Sequence, residues 1–221
     1  MALSDLFSRL RKQEPDAEVS AADAPVYPTK ALARFLASLG TQSQTNLLDL
    51  GPVVGSNVNF FGEQLGCKIL VEDLMSDIDR HVREDRIADL PAFFKTRFPQ
   101  ASGSVDGILC WDLFDYLDKA SAQSLAQELM RLLRPDGVLL AFFSTSEPQA
   151  GTRPTYTRHV VVDQNTLQHR TYPAARGKQR PFQNRDVQRM FEALRVAEQF
   201  LLKTNVREVL LRKPAETPPA S

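Results

Sequence analysis

Two glycines and an acidic pair carry the first chemical signal in this 221-residue chain. An apolar run, Leu47, Leu48 and Leu50, stops at Gly51, and a second glycine, Gly55, opens the following segment. A strand, a glycine turn and a helix start, in that order, let backbone amides approach a nucleotide-like ligand. About 20 residues further on, Glu72 and Asp73 close the next apolar run, where a carboxylate suits the two hydroxyls of a ribose. The pattern predicts a site for an adenosine-containing cofactor.

Other reactive side chains are less committed. Asp49 either caps the loop amides or holds a cofactor indirectly. Trp111 has three readings: a stack on adenine, a cavity wall or core packing. Asp112 and Asp115 have no third oxygen-ligand cluster to complete a metal site. They read as acids at a helix start, favoured by the positive end of its dipole. His81, His159 and His169 have no Ser, Cys or carboxylate at a telling spacing, and none is assigned as a general base. Cys67 and Cys110 lack metal-ligand spacing and read as buried reduced thiols, which points to a cytoplasmic compartment.

Lys plus Arg and Asp plus Glu number 27 each, so no overall field draws the chain to nucleic acid or an anionic membrane. No window reaches the roughly 18 apolar residues that a membrane span needs. The N-terminus lacks the basic and apolar regions of a secretory signal. Leu3, Leu6, Phe7 and Leu10 share one helical face, read as a short docking helix rather than a membrane anchor. Residues 1–28 are this helix and a flexible linker, 29–213 one domain, and 214–221 a disordered tail.

The domain must position the site. Thr29 caps a helix over 30–39, with a stripe of Leu32, Phe35, Leu36 and Leu39 and a stop at Gly40. Strands are expected at 46–50, 68–71, 105–111 and 138–143, with a weak additional one at 86–90. Helices are expected at 58–65, 121–133 and 186–194, with an exposed helix at 74–86 and a helical turn at 92–98. Pro135-Asp136-Gly137 reads as a turn, with Gly137 taking a positive φ. Strands alternating with helices imply a mainly parallel sheet. The last strands, 195–202 and 206–212, are linked so briefly that they must be antiparallel.

Residues 151–185 carry seven Lys or Arg and one acid, Asp163. An extra hairpin, 157–162 with 166–172, is expected there as a cover or partner surface. Such a basic cover suits a small-molecule or anionic substrate; with zero net charge, nucleic acid is disfavoured as a partner.

Taken together, these residues resemble the class I S-adenosylmethionine-dependent methyltransferases over roughly residues 29–212. The family's acidic-x-Gly-x-Gly-x-Gly motif stands here as Asp49-Leu50-Gly51-Pro52-Val53-Val54-Gly55, with Val53 in place of the middle glycine. Leu133-Arg134-Pro135-Asp136-Gly137 resembles the family's Leu-x-Pro-Gly-Gly, and Arg207-Glu208-Val209-Leu210 its closing hairpin. The resemblance implies a Rossmann-like, doubly wound α/β fold with a mostly parallel seven-stranded sheet and an antiparallel C-terminal hairpin strand. It implies S-adenosylmethionine as cofactor and S-adenosylhomocysteine as product. Asp49, Gly51, Pro52 and Gly55 would form the loop, Glu72 or Asp73 would bind the ribose, and Asp89 and Leu90 would contact adenine beside Trp111 and Asp112.

The implied activity is methyl transfer to an undetermined acceptor, with a small molecule as the expected class. Nothing resembling Asn/Asp-Pro-Pro-Tyr/Phe follows the 105–111 strand, which argues against nucleic-acid bases and glutamine amides. Val53 is expected to crowd the cofactor's methionine part, and Pro52 removes a backbone donor. The rival reading is a non-catalytic methyltransferase-like binding or scaffold module. A nicotinamide-dependent reductase matches the terminal hairpin and the Pro-Asp-Gly turn less well.

Overall fold

The computed structural model describes residues 24–39, 45–149 and 151–215. The expected N-terminal helix, the Gly40 stop and the tail from 216 lie outside the described residues. In chain order the first elements are β1 (Val26–Pro28), α1 (Ala31–Ser38), β2 (Asn46–Asp49) and α2 (Gly55–Asn59), the last running into a π turn at Phe60–Gln64. Then come β3 (Lys68–Val71), α3 (Leu74–Arg83), α4 (Leu90–Arg97), β4 (Val105–Trp111), α5 (Lys119–Leu132) and β5 (Leu133–Ser144). The chain closes with β6 (Thr155–Asp163), β7 (Thr166–Pro173), α6 (Asn184–Met190), β8 (Arg195–Leu201) and β9 (Val206–Arg212).

Leu47 and Leu48 of β2 are fully buried although they point to opposite faces, so the sheet must be covered on both sides. Its order is β3-β2-β4-β5-β9-β8; the first four strands are parallel, and β9 alone is reversed, pairing antiparallel with both β5 and β8. Along β5 the side chains alternate. Val138, Leu140 and Phe142 join α1 residues Leu32 and Phe35 on one face. Leu139, Ala141 and Phe143 pack against the apolar sides of α3, α4, α5 and α6 on the other.

Several expectations are corrected. The sheet has six strands among the described residues, not seven, because 86–90 is a 3-10 turn (Ile87–Asp89) leading into α4. Pro91 suits a first helical turn, and Leu90 and Phe94 stand one turn apart and fully buried, a helical rather than a strand pattern. α3 is not simply exposed, since Leu74, Met75, Ile78 and His81 are buried. Val26–Pro28, placed in the linker by composition, is a strand on β7. The expected C-terminal hairpin and the hairpin within 151–185 are both present, and the latter joins β1 in a separate sheet of order β1-β7-β6.

The cap of α1 is also different. Thr29 Oγ1 reaches Leu32 N–H only at 3.4 Å, whereas Glu208 Oε2 from β9 accepts from both Lys30 and Ala31 N–H at 2.8 Å. The expected Pro-Asp-Gly turn lies instead inside β5, at a register shift against β4, and the positive φ, 60°, belongs to Asp136. Gly137 serves close approach instead: a Cβ there would stand 2.8 Å from both the Arg134 carbonyl oxygen and Leu133 Cγ. Gly137→Ala is therefore expected to lower unfolding free energy by about 1–3 kcal/mol through overpacking, measured by urea titration against the parent.

Candidate functional site

A narrow cavity, with only about 10 Å³ open to the centre of a water-sized sphere, lies past the carboxyl ends of β2 and β4, between Gly51 and Pro52 on one side and Trp111, Asp112 and His159 on the other. Open parallel sheets bind ligands at this edge. Asp49 ends β2 and is buried; its Oδ1 accepts from Gly51 N–H at 2.9 Å and from Trp111 Nε1 at 2.7 Å. Burial pushes this carboxyl up to about 6, against the opposing effect of the two hydrogen bonds.

Gly51 is needed where the loop meets the indole, since a Cβ would lie 2.8 Å from Trp111 Cδ1. Trp111 takes a φ of 50° at an irregularity in the β4–β5 register. For a bulky residue that conformation costs about 1–3 kcal/mol and clusters at functional sites. The hydrogen bond to Asp49 holds the indole on one side. On the other, His159 of β6 stacks on it at 5.2 Å and 9° between planes.

His159 Nε2 lies 3.0 Å from Asp112 Oδ1, and Lys178 Nζ bridges Asp112 Oδ2 at 2.8 Å and Asp115 Oδ2 at 2.9 Å. Burial alone would raise Asp112, but Lys178 and His159 hold it well below the usual carboxylate range. Burial pushes Asp115 up to about 6 against the pull of Lys178, and its carboxylate also accepts from Ser144 N–H. Despite burial, the two carboxylates hold the Lys178 ammonium above its ordinary value.

Asn57 fastens the cover. Its Nδ2 donates to the His159 carbonyl and its Oδ1 accepts from Val161 N–H, both at 2.8 Å, pairing with β6 as a neighbouring strand would. A second and roomier cavity, with about 90 Å³ open to the centre of a water-sized sphere, lies under the hairpin sheet and is lined by Tyr27, Phe142, His169 and Glu208 among others. Asp112, Thr157 and His159 are walls of both cavities.

Gly51, Pro52, Trp111 and Asp112 thus come together as expected, with Asp49 behind them. Gly55 is exposed, with open space over its Cα. Glu72 does not line the cavity; its oxygens accept from Arg97 Nη1 at 2.8 Å and Gln100 Nε2 at 3.1 Å. A carboxylate offers about four acceptor positions, so it keeps capacity for hydroxyls. Asp73 caps α3 through Ser76. Asp89 is exposed beside Arg86, and Leu90 is fully in the core, so neither reaches the cavity wall.

Two readings change. Val53 is half-buried and does not line the cavity; Trp111, Asn57 and His159 narrow it instead. Asp112 and Asp115 are not solvated helix-start acids but members of a buried ion network. Sequence reasoning missed Asn57, His159 and Lys178 because their partners lie far along the chain. The period-2 pattern of β6, which puts His159 on the face of buried Val161, was the one available signal.

No family model matches the chain. Its curated relatives include thiol S-methyltransferase TMT1B of Rattus norvegicus and of Mus musculus, each 28% identical over 120 residues, 50% of this chain and 47% of the relative. The chain therefore spans about half the length of the curated relatives it matches. Among solved structures, an S-adenosylmethionine-dependent methyltransferase from Clostridium acetobutylicum aligns over 97% of this chain and 100% of its own, with a TM-score of 0.50 at 11% identity. The PH0226 protein of Pyrococcus horikoshii aligns over 83% and 88%, with a TM-score of 0.50 at 14% identity. The fold is that of the class I methyltransferases.

Because Asp49 has an ordinary value of 3.8 raised to about 6, the native state binds its proton more tightly than the unfolded chain. The stability this group contributes is full below pH 4 and is lost as pH rises to about 6, a change of up to about 3 kcal/mol. Asp49→Asn is expected to remove about 2–3 kcal/mol of the difference in unfolding free energy between pH 4 and pH 7.5. Urea titrations of both proteins across that range provide the check.

Proposed function

We propose that the chain is a methyltransferase that takes S-adenosylmethionine into the first cavity and methylates a small neutral molecule held in the second. The supporting observation is the meeting of two cavities at the Asp112–His159 wall, on the ligand-binding edge of a class I methyltransferase fold. The names of the curated relatives support a thiol as one acceptor class.

The donor set fits an adenosyl group. Gly51 and the loop amides supply close backbone and the indole of Trp111 an aromatic face, whereas Glu72 is held by Arg97 and Gln100 off the cavity wall. When bound, the cofactor supplies an electrophilic methyl on a sulfonium. This chain's own part is alignment and the exclusion of water. The hairpin provides that exclusion, and entry of a ligand of this size requires β6 to lift from Asn57.

Charge favours a neutral acceptor over an anion. Asp112, Asp115 and Glu208 line the second cavity against one ammonium, Lys178. Other cations of 151–185 are engaged elsewhere: Arg158 lies over the Tyr172 ring at 4.2 Å, and Arg170 bonds to Gln168. Among the described residues no helix is long and apolar enough to cross a membrane.

Titration calorimetry with S-adenosylhomocysteine is the test, and binding is expected. Gly51→Ala should abolish it, since the new methyl group displaces Trp111. Glu72→Ala and Val53→Gly should each change it less than about twofold, because neither side chain lines the cavity. No heat from the parent protein at millimolar ligand would sink the enzyme reading and leave a binding module.

A further inference from the structure

We propose that His159 is the base that accepts a proton from a hydroxyl or thiol acceptor in the second cavity, with Asp112 as the positioning residue that fixes its tautomer. The proposal rests on the methyl-transfer reading of the same site. It begins with the partners of the imidazole. Asp112 is a carboxylate and only accepts hydrogen bonds, so the His159 Nε2 facing its Oδ1 at 3.0 Å carries the hydrogen. The basic lone pair is then on Nδ1.

That atom is buried and has no hydrogen-bond partner among the described residues. An orphaned buried nitrogen costs about 1–3 kcal/mol, and in a native protein it marks a place where a partner is missing. The ring cannot turn to find one. It is stacked on Trp111, meets the edges of Phe142 at 5.5 Å and His169 at 4.7 Å, and its backbone is fastened by Asn57. A single free lone pair, held rigidly on the wall between two cavities, is the arrangement general-base catalysis requires.

His169, also in the second cavity, is a poorer candidate, because burial and the neighbouring His159 push it down to about 4. The cavity walls specify the acceptor. Tyr27, Phe142 and Phe143 favour an aromatic or otherwise apolar body, while the excess of carboxylates disfavours an anion. A neutral phenol or alkyl thiol meets both conditions, and each needs a base before it becomes a strong nucleophile. In the step, the acceptor O–H or S–H bond breaks and its proton goes to Nδ1. The freed pair forms the bond to the methyl carbon, and the carbon–sulfur bond of the sulfonium breaks with its pair staying on sulfur. Asp112 stabilises the imidazolium that results.

Trp111 is the sole tryptophan and is stacked on His159, so its fluorescence reports occupancy without cofactor. The probes are 4-chlorophenol and benzyl mercaptan, each against its methylated counterpart, 4-chloroanisole and benzyl methyl sulfide. One or both hydroxyl or thiol probes should bind about tenfold tighter than the methylated partner, the value of one buried hydrogen bond. In His159→Phe, which keeps a ring in the stack, the preference should fall below about twofold; His159→Gln repeats the comparison if the Phe variant does not fold. A preference that survives in a folded variant, or equal binding of all four probes to the parent, overturns the proposal.

With S-adenosylmethionine present, His159→Phe should slow methylation of the phenol or alkyl thiol about 10²–10⁴-fold. An already ionised acceptor, 4-nitrothiophenolate, should slow less than about threefold, since it needs no base. Asp112→Asn should shift the acidic limb of the rate profile to lower pH, because the imidazolium loses an anionic partner. The other titratable groups around the second cavity, Asp115, Lys178, His169 and Glu208, together with Asp49 beyond the indole, keep their identities in that variant, with Lys178 losing one carboxylate partner, which acts in the same direction. Equal slowing of both acceptors would make His159 structural. Loss of S-adenosylhomocysteine heat with the probe selectivity intact would instead remove the cofactor reading while leaving the acceptor site.

Discussion

The hydrogen bond from Trp111 Nε1 to the buried Asp49 carboxylate is the contact on which the rest of the site depends. It joins the ends of two parallel strands that only pair backbone to backbone below that point. It also holds a bulky residue at positive φ, a conformation that surrounding contacts must over-determine. With the indole fixed, Gly51 has no room for a Cβ, His159 has a face to stack on, and the wall between the two cavities stands. Remove the contact and each of these constraints loosens together.

Burial makes this arrangement electrostatically demanding. Asp49, Asp112 and Asp115 lie within one small region at the sheet edge, and only Asp112 and Asp115 are matched by the ammonium of Lys178. Taking several carboxylates out of water is costly, and such networks are retained more for geometry than for stability. Here the geometry they fix is the orientation of His159 and the closure of the second cavity. The strain at Trp111 and the raised Asp49 and Asp115 carboxyls belong to the same compromise, local stability given up for a defined site.

The hairpin sheet makes the difference between a generic fold and a particular pocket. The six-stranded sheet offers a crevice at its carboxyl edge, but β1, β6 and β7 roof it, and Val161 and Leu167 extend the core into that roof. Asn57 of α2, just past the glycine loop, fastens the roof through its amide, which replaces an edge strand. A small polar attachment of this kind can open without unfolding the core beneath it.

Much of the fold was legible because its signals are local. Uninterrupted apolar runs marked β2, β3 and β4, the brief Lys203-Thr204-Asn205 link required an antiparallel end, and the Gly51 turn marked the ligand edge. The weak third strand failed because Leu90 and Phe94 obey helical spacing, which a short window around Ile87 conceals. Position along the strands anticipated that Gly51, Pro52, Trp111 and Asp112 would lie at one edge, where they line a single cavity. Asn57, His159 and Lys178 were not anticipated, since hydrogen bonds spanning tens to a hundred residues leave no mark on spacing. The sequence by itself determined the alternation of elements and the edge at which a ligand would sit, because periodicity and turn chemistry act between near neighbours. Only the tertiary structure decided which side chains face one another across that edge, because burial and pairing depend on where distant segments pack.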